Sequence, residues 1–105
     1  MGSSTLLLGL DVGGSHTRLR GERDDGSAQI EREGAGANPN RVGEDTAVTR
    51  LTALVDATLA DLDGIDRLVL AAGVSGAGSP SVQSRLTKAL EAALARPGLP
   101  VQVEV

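Results

Sequence analysis

The fold of this chain is decided by the stretch Leu6-Leu7-Leu8-Gly9-Leu10-Asp11-Val12-Gly13-Gly14-Ser15-His16-Thr17. Its short apolar run predicts a buried β-strand, and the glycines that follow predict a tight turn. Such a strand would hold Asp11 rigidly at its end, where the carboxylate can order the waters that Mg²⁺ prefers to keep. Gly13 and Gly14 lack a Cβ, so the N–H groups of the turn can approach phosphate oxygens closely. Ser15 and Thr17 then offer hydroxyl donors to the same anion.

The same residues have a second interpretation. Asp and Gly favour turns for reasons unrelated to ligands, so the segment also fits a plain β-hairpin turn. By strand alternation His16 points away from Ser15 and Thr17, which predicts an exposed or hydrogen-bonded histidine rather than a ligand. The stretch alone leaves phosphate binding and a simple turn both open.

The composition narrows the classes of protein and partner. The 105 residues are enough for one compact domain, and 40% of them are hydrophobic, which is enough for a core. The chain has no Phe, Tyr or Trp and a formal net charge of −4, so we expect no nucleic-acid partner. It has no Cys, which excludes disulfides, thiolate metal sites and cysteine nucleophiles. No apolar run reaches the length of a membrane span and residues 1–4 carry no basic side chain, so we expect a cytoplasmic protein with no membrane partner.

Periodicity and turn residues predict an α/β domain with the order β-β-β-α-β-α-β. The predicted strands cover 5–12, 17–22, 28–33, 67–74 and 101–105, and the predicted helices cover 44–62 and 80–94. Residues 34–43 have no periodicity and are predicted to be a loop. Ser79 and Pro80 are the favoured cap and first residue of the second helix. Antiparallel strands followed by αβ crossovers predict a mixed sheet with helices on its faces.

Three segments of the chain together resemble a known superfamily. They are Leu10-Asp11-Val12-Gly13-Gly14-Ser15-His16-Thr17, Gly34-Ala35-Gly36-Ala37-Asn38-Pro39-Asn40-Arg41-Val42-Gly43 and Leu70-Ala71-Ala72-Gly73-Val74-Ser75-Gly76-Ala77-Gly78. In this order they resemble the first lobe of the actin-like, hexokinase-like ATPases, whose sheet is ribonuclease H-like. Within that superfamily the chain is most similar to N-acetylglucosamine kinases and to the BadF/BadG/BcrA/BcrD-type ATPases. The resemblance implies a kinase or ATPase that uses ATP and Mg²⁺.

The resemblance also implies roles for individual residues. Asp11 would hold Mg²⁺ through water, and the residues facing the β- and γ-phosphates would be Gly13, Gly14, Ser15 and Thr17. The residues beside an N-acetylglucosamine-like sugar would be Asn38, Gly73, Ser75 and Gly76. Asn38 has an equally good alternative as a turn residue before Pro39, and the glycines at 73–78 could serve backbone geometry alone.

Two departures from the family pattern limit what the chain is expected to do. In the family, an Asp that acts as general base follows the strand corresponding to 101–105, so no catalytic residue is expected within this chain and the base is expected just after Val105. The second lobe, with its own phosphate loop and adenosine pocket, has no counterpart in the sequence. We therefore expect residues 1–105 to be the N-terminal lobe of a two-lobe parent, and to be nearly inactive alone, because phosphoryl transfer needs groups on both sides of the nucleotide.

Other functions remain open at this point. An activator ATPase of the BadF/BadG type is a close rival, although such proteins hold an iron–sulfur cluster with cysteines. A non-catalytic binding remnant is a second alternative, and an exposed last strand would then favour a homodimer. A ribonuclease H-like or resolvase-like nuclease is a third, but it needs further carboxylates near Asp11, and the strand at 67–74 ends in Gly73-Val74-Ser75.

Overall fold

In the computed structural model of this chain, residues 4–27 and 29–105 are described, and they form five strands and three helices. The first half contains β1 (Thr5–Val12), β2 (His16–Arg23), β3 (Gln29–Ala35) and the short helix α1 (Pro39–Val42). The second half contains α2 (Glu44–Ala60), β4 (Arg67–Val74), α3 (Pro80–Leu94) and β5 (Val101–Glu104).

The strands form one mixed sheet in the order β3-β2-β1-β4-β5. Strands β1, β2 and β3 are antiparallel neighbours, whereas β4 and β5 run parallel to β1 after helical crossovers. The predicted α/β class with a mixed sheet is confirmed. The central position of β1, paired along its whole length on both sides, fixes its carboxyl end and therefore Asp11 and the turn that follows.

One face of the sheet carries the core. Alternate residues of β1 point into it, and they are all buried, with Leu6 and Val12 at most 1% exposed. Helices α2 and α3 cover this face through Leu51, Val55, Leu90 and Leu94. Because no aromatic ring is available, the core is filled by leucine, valine and alanine. Close packing extends to Gly21, where a Cβ would lie 2.4 Å from the Leu8 Cδ2 atom.

The helices begin at recognisable signals. Ser79 caps α3, since its hydroxyl accepts a hydrogen bond of 3.3 Å from the Val82 N–H, and Pro80 is the first helical residue. Helix α2 follows Gly43, whose φ of +88° turns the chain sharply between α1 and α2, and it has Glu44 and Asp45 in its first turn. These acidic residues suit the positive end of the helix dipole.

Several element boundaries differ from the sequence prediction. The predicted loop at 34–43 was wrong in two places, because β3 continues to Ala35 and α1 occupies Pro39–Val42. Strand β3 is longer because it stays in register with β2 up to the His16–Ala35 pair. Helix α1 forms because the Asn38 side chain caps it and Pro39 is pre-set for a first helical position. The predicted start of the third strand, Ala28, lies outside the described residues.

The face of the sheet opposite the helices is exposed. It shows Leu7 at 38% exposure, together with Gly9, Asp11, Ala71 and Gly73. In β5 Val103 is buried, whereas Gln102 and Glu104 are exposed. Within the described ranges, none of the helices has the length and apolar character needed to cross a membrane.

Candidate functional site

Three loops meet at one edge of the sheet, where β1 and β4 end. The first is the β1–β2 turn, the second joins β3 to α1, and the third joins β4 to α3. The second loop is tied to the first by a 3.2 Å hydrogen bond from the Ala37 N–H to the Gly13 carbonyl. The third is tied to the end of β1 by a 2.9 Å bond from the Ser75 N–H to the Val12 carbonyl. These bonds bring together all three motifs that the sequence singled out.

The β1–β2 turn is a hairpin connection and a candidate anion cradle at once. Gly13 donates its N–H to the His16 carbonyl at 3.0 Å, which closes the turn. Among residues 4–27 and 29–105, no backbone bond of this kind uses the Gly14 or Ser15 N–H. The turn at residues 13–16 is therefore consistent both with a simple hairpin and with a phosphate-binding loop. The N–H groups of Gly14 and Ser15 could donate to an anion.

The second loop packs on the turn by direct backbone contact. A Cβ on Gly36 would lie 2.1 Å from the Gly14 carbonyl oxygen and 2.5 Å from its carbon, so a side chain has no room there. Arg50 of α2 holds this loop from the other side, because its Nη1 donates to the Gly36 carbonyl at 2.6 Å. The glycine at position 36 thus permits an approach that any other residue would block.

The third loop packs against Asn38. Gly76 has a φ of +86°, and a Cβ there would lie 2.2 Å from Asn38 Oδ1 and 3.1 Å from Asn40 Nδ2. The Asn38 Oδ1 also accepts the Asn40 N–H at 2.9 Å and so caps α1. Asn38 therefore does fix a turn, and at the same time its amide lies against the β4–α3 loop.

Asp11 lies on the exposed face, one residue before β1 ends. It lines an open depression of about 630 Å³, whose other polar side chains are Arg18, Arg20 and Glu104. Asp11 and Arg18 are opposite each other in the β1–β2 ladder, and Gly73 is the partner of Asp11 on β4. A carboxylate beside guanidinium groups, with no side chain on the neighbouring strand, can accommodate a hydrated cation together with anionic oxygens.

Thr17 is placed differently from the other residues predicted at the phosphate site. Its side chain is 1% exposed and its hydroxyl donates to the Ala35 carbonyl at 2.9 Å. Ser15 and His16 are exposed at the tip of the turn, as the alternation predicted for His16. The Thr17 hydroxyl therefore acts inside the protein, where it joins β2 to the end of β3.

Sequence reasoning missed the arginines of this site. It gave no role to Arg18, Arg41 or Arg50. The position of Arg18 could have been predicted. Once β1 and β2 are assumed to form a hairpin, the odd-numbered residues of β1, which include Asp11, lie on the same face of the sheet as the even-numbered residues of β2. No local signal identifies Arg41 or Arg50, because their positions depend on how α1 and α2 fold back on the turn. In the described part of the chain, no three His, Asp or Glu side chains are grouped so that they could bind a metal on their own.

Comparisons with known proteins find structural likeness only. No protein-family profile matches the chain, and no curated protein matches its sequence. A candidate N-acetylglucosamine kinase from Chromobacterium violaceum superposes with a TM-score of 0.63 at 21% identity, over 95% of this chain and 34% of that one. The PPX-GPPA enzyme of Aquifex aeolicus superposes with a TM-score of 0.53 at 10% identity, over 95% of this chain and 36% of that one.

The chain thus spans about a third of the length of these structures. At such identities the likeness establishes the fold and leaves the activity to be argued from the residues. The two superpositions confirm the predicted α/β fold with a mixed sheet. The chain therefore shares the fold of the corresponding third of these two proteins.

Proposed function

We propose that this chain is the N-terminal lobe of an ATP-dependent sugar kinase of the N-acetylglucosamine type. In the parent protein, Mg²⁺ would assist transfer of the γ-phosphoryl group to a sugar hydroxyl. The observation that carries the proposal is the packing of three glycine-containing loops on one another at the ends of β1 and β4. This packing supports the proposal, because it would put a phosphate-binding turn next to a loop that carries the amides of Asn38 and Asn40.

The phosphate side of the site is the turn at Gly13, Gly14 and Ser15. The exposed Ser15 hydroxyl and the N–H groups of Gly14 and Ser15, which make no backbone hydrogen bond within residues 4–27 and 29–105, suit the β- and γ-phosphates of ATP. Thr17 supports this role from inside, through its bond to Ala35. When bound, Mg²⁺ would neutralise negative charge on the phosphates, and Asp11 would hold its water ligands.

The sugar side of the site is formed by the β4–α3 loop and the start of α1. Gly73 and Ser75 are exposed at the end of β4, and Gly76 lies against the Asn38 amide. The Asn38 Nδ2 atom can donate to a sugar hydroxyl while Oδ1 keeps its bond to the Asn40 N–H. The sugar would thus be held within reach of the phosphate turn, as transfer to its hydroxyl requires.

We expect the 105-residue chain to bind ligands without turnover. Phosphoryl transfer also needs a general base and groups on the far side of the nucleotide, and the chain spans only about a third of the candidate kinase it superposes on. A nuclease is not favoured, because the partner of Asp11 on β4 is Gly73 rather than a second carboxylate.

The β5 edge supports a further part of the proposal, namely a homodimer. Two of the four β5 residues are exposed, and the strand pairs with β4 on one side. A free strand edge can pair with another copy. Light scattering coupled to size-exclusion chromatography tests this, and a monomer at all concentrations would remove the dimer from the proposal without affecting ligand binding.

The proposed function is tested by NMR titration of the ¹⁵N-labelled chain. Addition of Mg²⁺-ATP is expected to shift the amide signals of Gly13, Gly14 and Ser15, and N-acetylglucosamine is expected to shift Gly76. D11N should weaken the ATP response and leave the sugar response unchanged. Shifts with ATP and none with any amino sugar would favour the BadF/BadG-type ATPase, and shifts with sugar alone would favour a binding remnant. No response to either ligand would refute the kinase proposal.

A further inference from the structure

The side chain of Arg41 lies directly on the phosphate turn. A Cβ on Gly14 would be 2.9 Å from Arg41 Nη1 and 3.4 Å from Arg41 Cδ. The guanidinium thus lies over the Cα of Gly14, in space left free by the absence of a side chain. Arg41 is an exposed residue of α1, so one side of its guanidinium faces the turn and the rest faces solvent.

The backbone of Arg41 is held in place on several sides. Helix α1 is capped at its start by Asn38 and is closed at its end by a 2.9 Å bond from the Gly43 N–H to the Pro39 carbonyl. The loop before it is fixed to the turn by the Ala37–Gly13 bond and by the Gly36–Gly14 contact. The fold therefore sets the position of the Arg41 backbone relative to the turn, at a distance from which the side chain reaches Gly14.

The Arg41 guanidinium has donors to spare. Within residues 4–27 and 29–105, no ion pair or side-chain hydrogen bond uses it, whereas the arginines in ion pairs there are Arg18, Arg20, Arg32, Arg85 and Arg96. Arg50 provides a contrast in the same region, because it donates to the Gly36 carbonyl and is thus part of the scaffold. The Arg41 guanidinium packs on the turn that carries the N–H groups of Gly14 and Ser15, and it has no carboxylate partner within residues 4–27 and 29–105. It can therefore bind an anion together with the turn.

We propose that Arg41 is a phosphate-binding residue that closes over the turn and contacts the terminal phosphoryl group of a bound nucleoside triphosphate. This inference rests on the proposed function and adds to it a cationic residue from α1. The planar guanidinium can donate two parallel hydrogen bonds to phosphate oxygens, which a lysine cannot do. Arg41 would thereby join the phosphate turn to the same helix whose cap, Asn38, is proposed to face the sugar.

The proposal predicts a selective loss of affinity for phosphoanhydrides. Calorimetric titration of the 105-residue chain is expected to show binding of Mg²⁺-ATP and of Mg²⁺-pyrophosphate. R41M should weaken both affinities about tenfold or more, because it removes one pair of charge-assisted hydrogen bonds. R41K should recover only part of this affinity, because lysine keeps the positive charge but cannot donate two parallel hydrogen bonds as the guanidinium does. The matched control is R67M, which removes the same charge at the opposite end of β1 and β4, where Arg67 donates to Gln102.

A readout at Arg41 itself complements the affinities. The Arg41 Nε–H signal in the ¹⁵N spectrum should shift on addition of Mg²⁺-pyrophosphate, and N-acetylglucosamine should leave it unchanged. Thermal unfolding of R41M should match that of the native chain, since within residues 4–27 and 29–105 the guanidinium makes no side-chain hydrogen bond or ion pair that would support the fold. A large loss of stability in R41M would instead indicate a structural role and would overturn the proposal.

The remaining outcomes separate this inference from the proposed function. If R41M binds both phosphate probes like the native chain while D11N weakens ATP, Arg41 has no such role and the kinase lobe stands. If R41M and R67M weaken binding equally, the effect is one of net charge and the inference fails. If the native chain binds neither ATP nor pyrophosphate, the inference and the proposed function fail together.

Discussion

Gly36 packs on the carbonyl group of Gly14, so that a Cβ on Gly36 would lie 2.1 Å from the Gly14 oxygen. This single contact joins the loop that leads into α1 to the turn at the end of β1. The neighbouring atoms are backbone, which cannot move aside as a side chain can. The spacing between the candidate phosphate turn and the candidate sugar loop therefore depends on Gly36, which is assigned to neither of the two candidate sites.

The first prediction concerns this contact. Gly36→Ala should destabilise the chain by about 1–3 kcal/mol, because the added methyl group forces two backbone segments apart. Far-UV circular dichroism on heating measures the loss, since the chain has no aromatic residue for fluorescence. Gly78→Ala is the matched control: a Cβ there would meet no atom within 4 Å, so it should be neutral or slightly stabilising. Equal stability of both variants would mean that the two loops are not in contact.

The second prediction separates the two roles considered for Thr17. Thr17→Val keeps the shape of the buried side chain but leaves the Ala35 carbonyl without its donor, which should cost about 1–3 kcal/mol. Thr17→Ser keeps the hydroxyl and should lose less, as the removed methyl group leaves only a small void. Chemical denaturation followed by circular dichroism gives both values. If Thr17→Val is as stable as the native chain but binds Mg²⁺-ATP more weakly, the hydroxyl serves the phosphate and not the fold.

The sheet and its first turn could be predicted from the sequence, whereas helix α1 could not, and both outcomes have physical reasons. The strand at Thr5–Val12 and the turn after it carry their own local signals, namely an apolar run and two glycines. Helix α1 carries a local signal too, an Asn-Pro cap, but four residues are too few for any periodicity. Its glycine-rich surroundings therefore led to the prediction of a loop.

The site was predictable only in part for a related reason. The turn residues could be proposed from the sequence because glycines that follow a carboxylate at the end of a strand are a local signal. The proximity of Arg41 to Gly14, and of Gly76 to Asn38, arises when segments distant in sequence fold together. For Thr17 the motif and the strand geometry differ. Its place in the motif predicts a residue that binds phosphate, whereas the pleat of β2 turns its side chain inward, on the same side as Leu19.

The third prediction concerns the core. Leu90 of α3 is fully buried against the sheet, so Leu90→Ala should cost about 2–5 kcal/mol through lost burial and the cavity that remains. Leu7→Ala makes the same chemical change on the exposed face, where Leu7 is 38% exposed, and should cost much less. Similar losses for both would show that another surface covers Leu7 in solution.

The last prediction is a pH dependence at the start of α2. Glu44 receives two hydrogen bonds of 2.9 Å from Arg85 of α3, and these bonds, followed by the charge of Arg85, lower the pKa of Glu44 from its ordinary value of 4.5. A carboxyl group with a lowered pKa stabilises the fold when it is ionised, so its contribution is complete above pH 4.5 and is lost as the pH falls through the lowered pKa.

Arg85→Met should therefore return the pKa of Glu44 towards its ordinary value, which NMR titration of the Glu44 side chain measures directly. The variant should melt slightly below the native chain at pH 7, and the difference should diminish as the pH falls through the lowered pKa of Glu44. The effect stays small because both side chains of the pair are exposed to solvent. Lys88→Met, which removes a positive charge from the same helix one turn later, should leave the pKa of Glu44 unchanged. A melting difference that persists undiminished at low pH would show that Arg85 acts through packing of its side chain and not through Glu44.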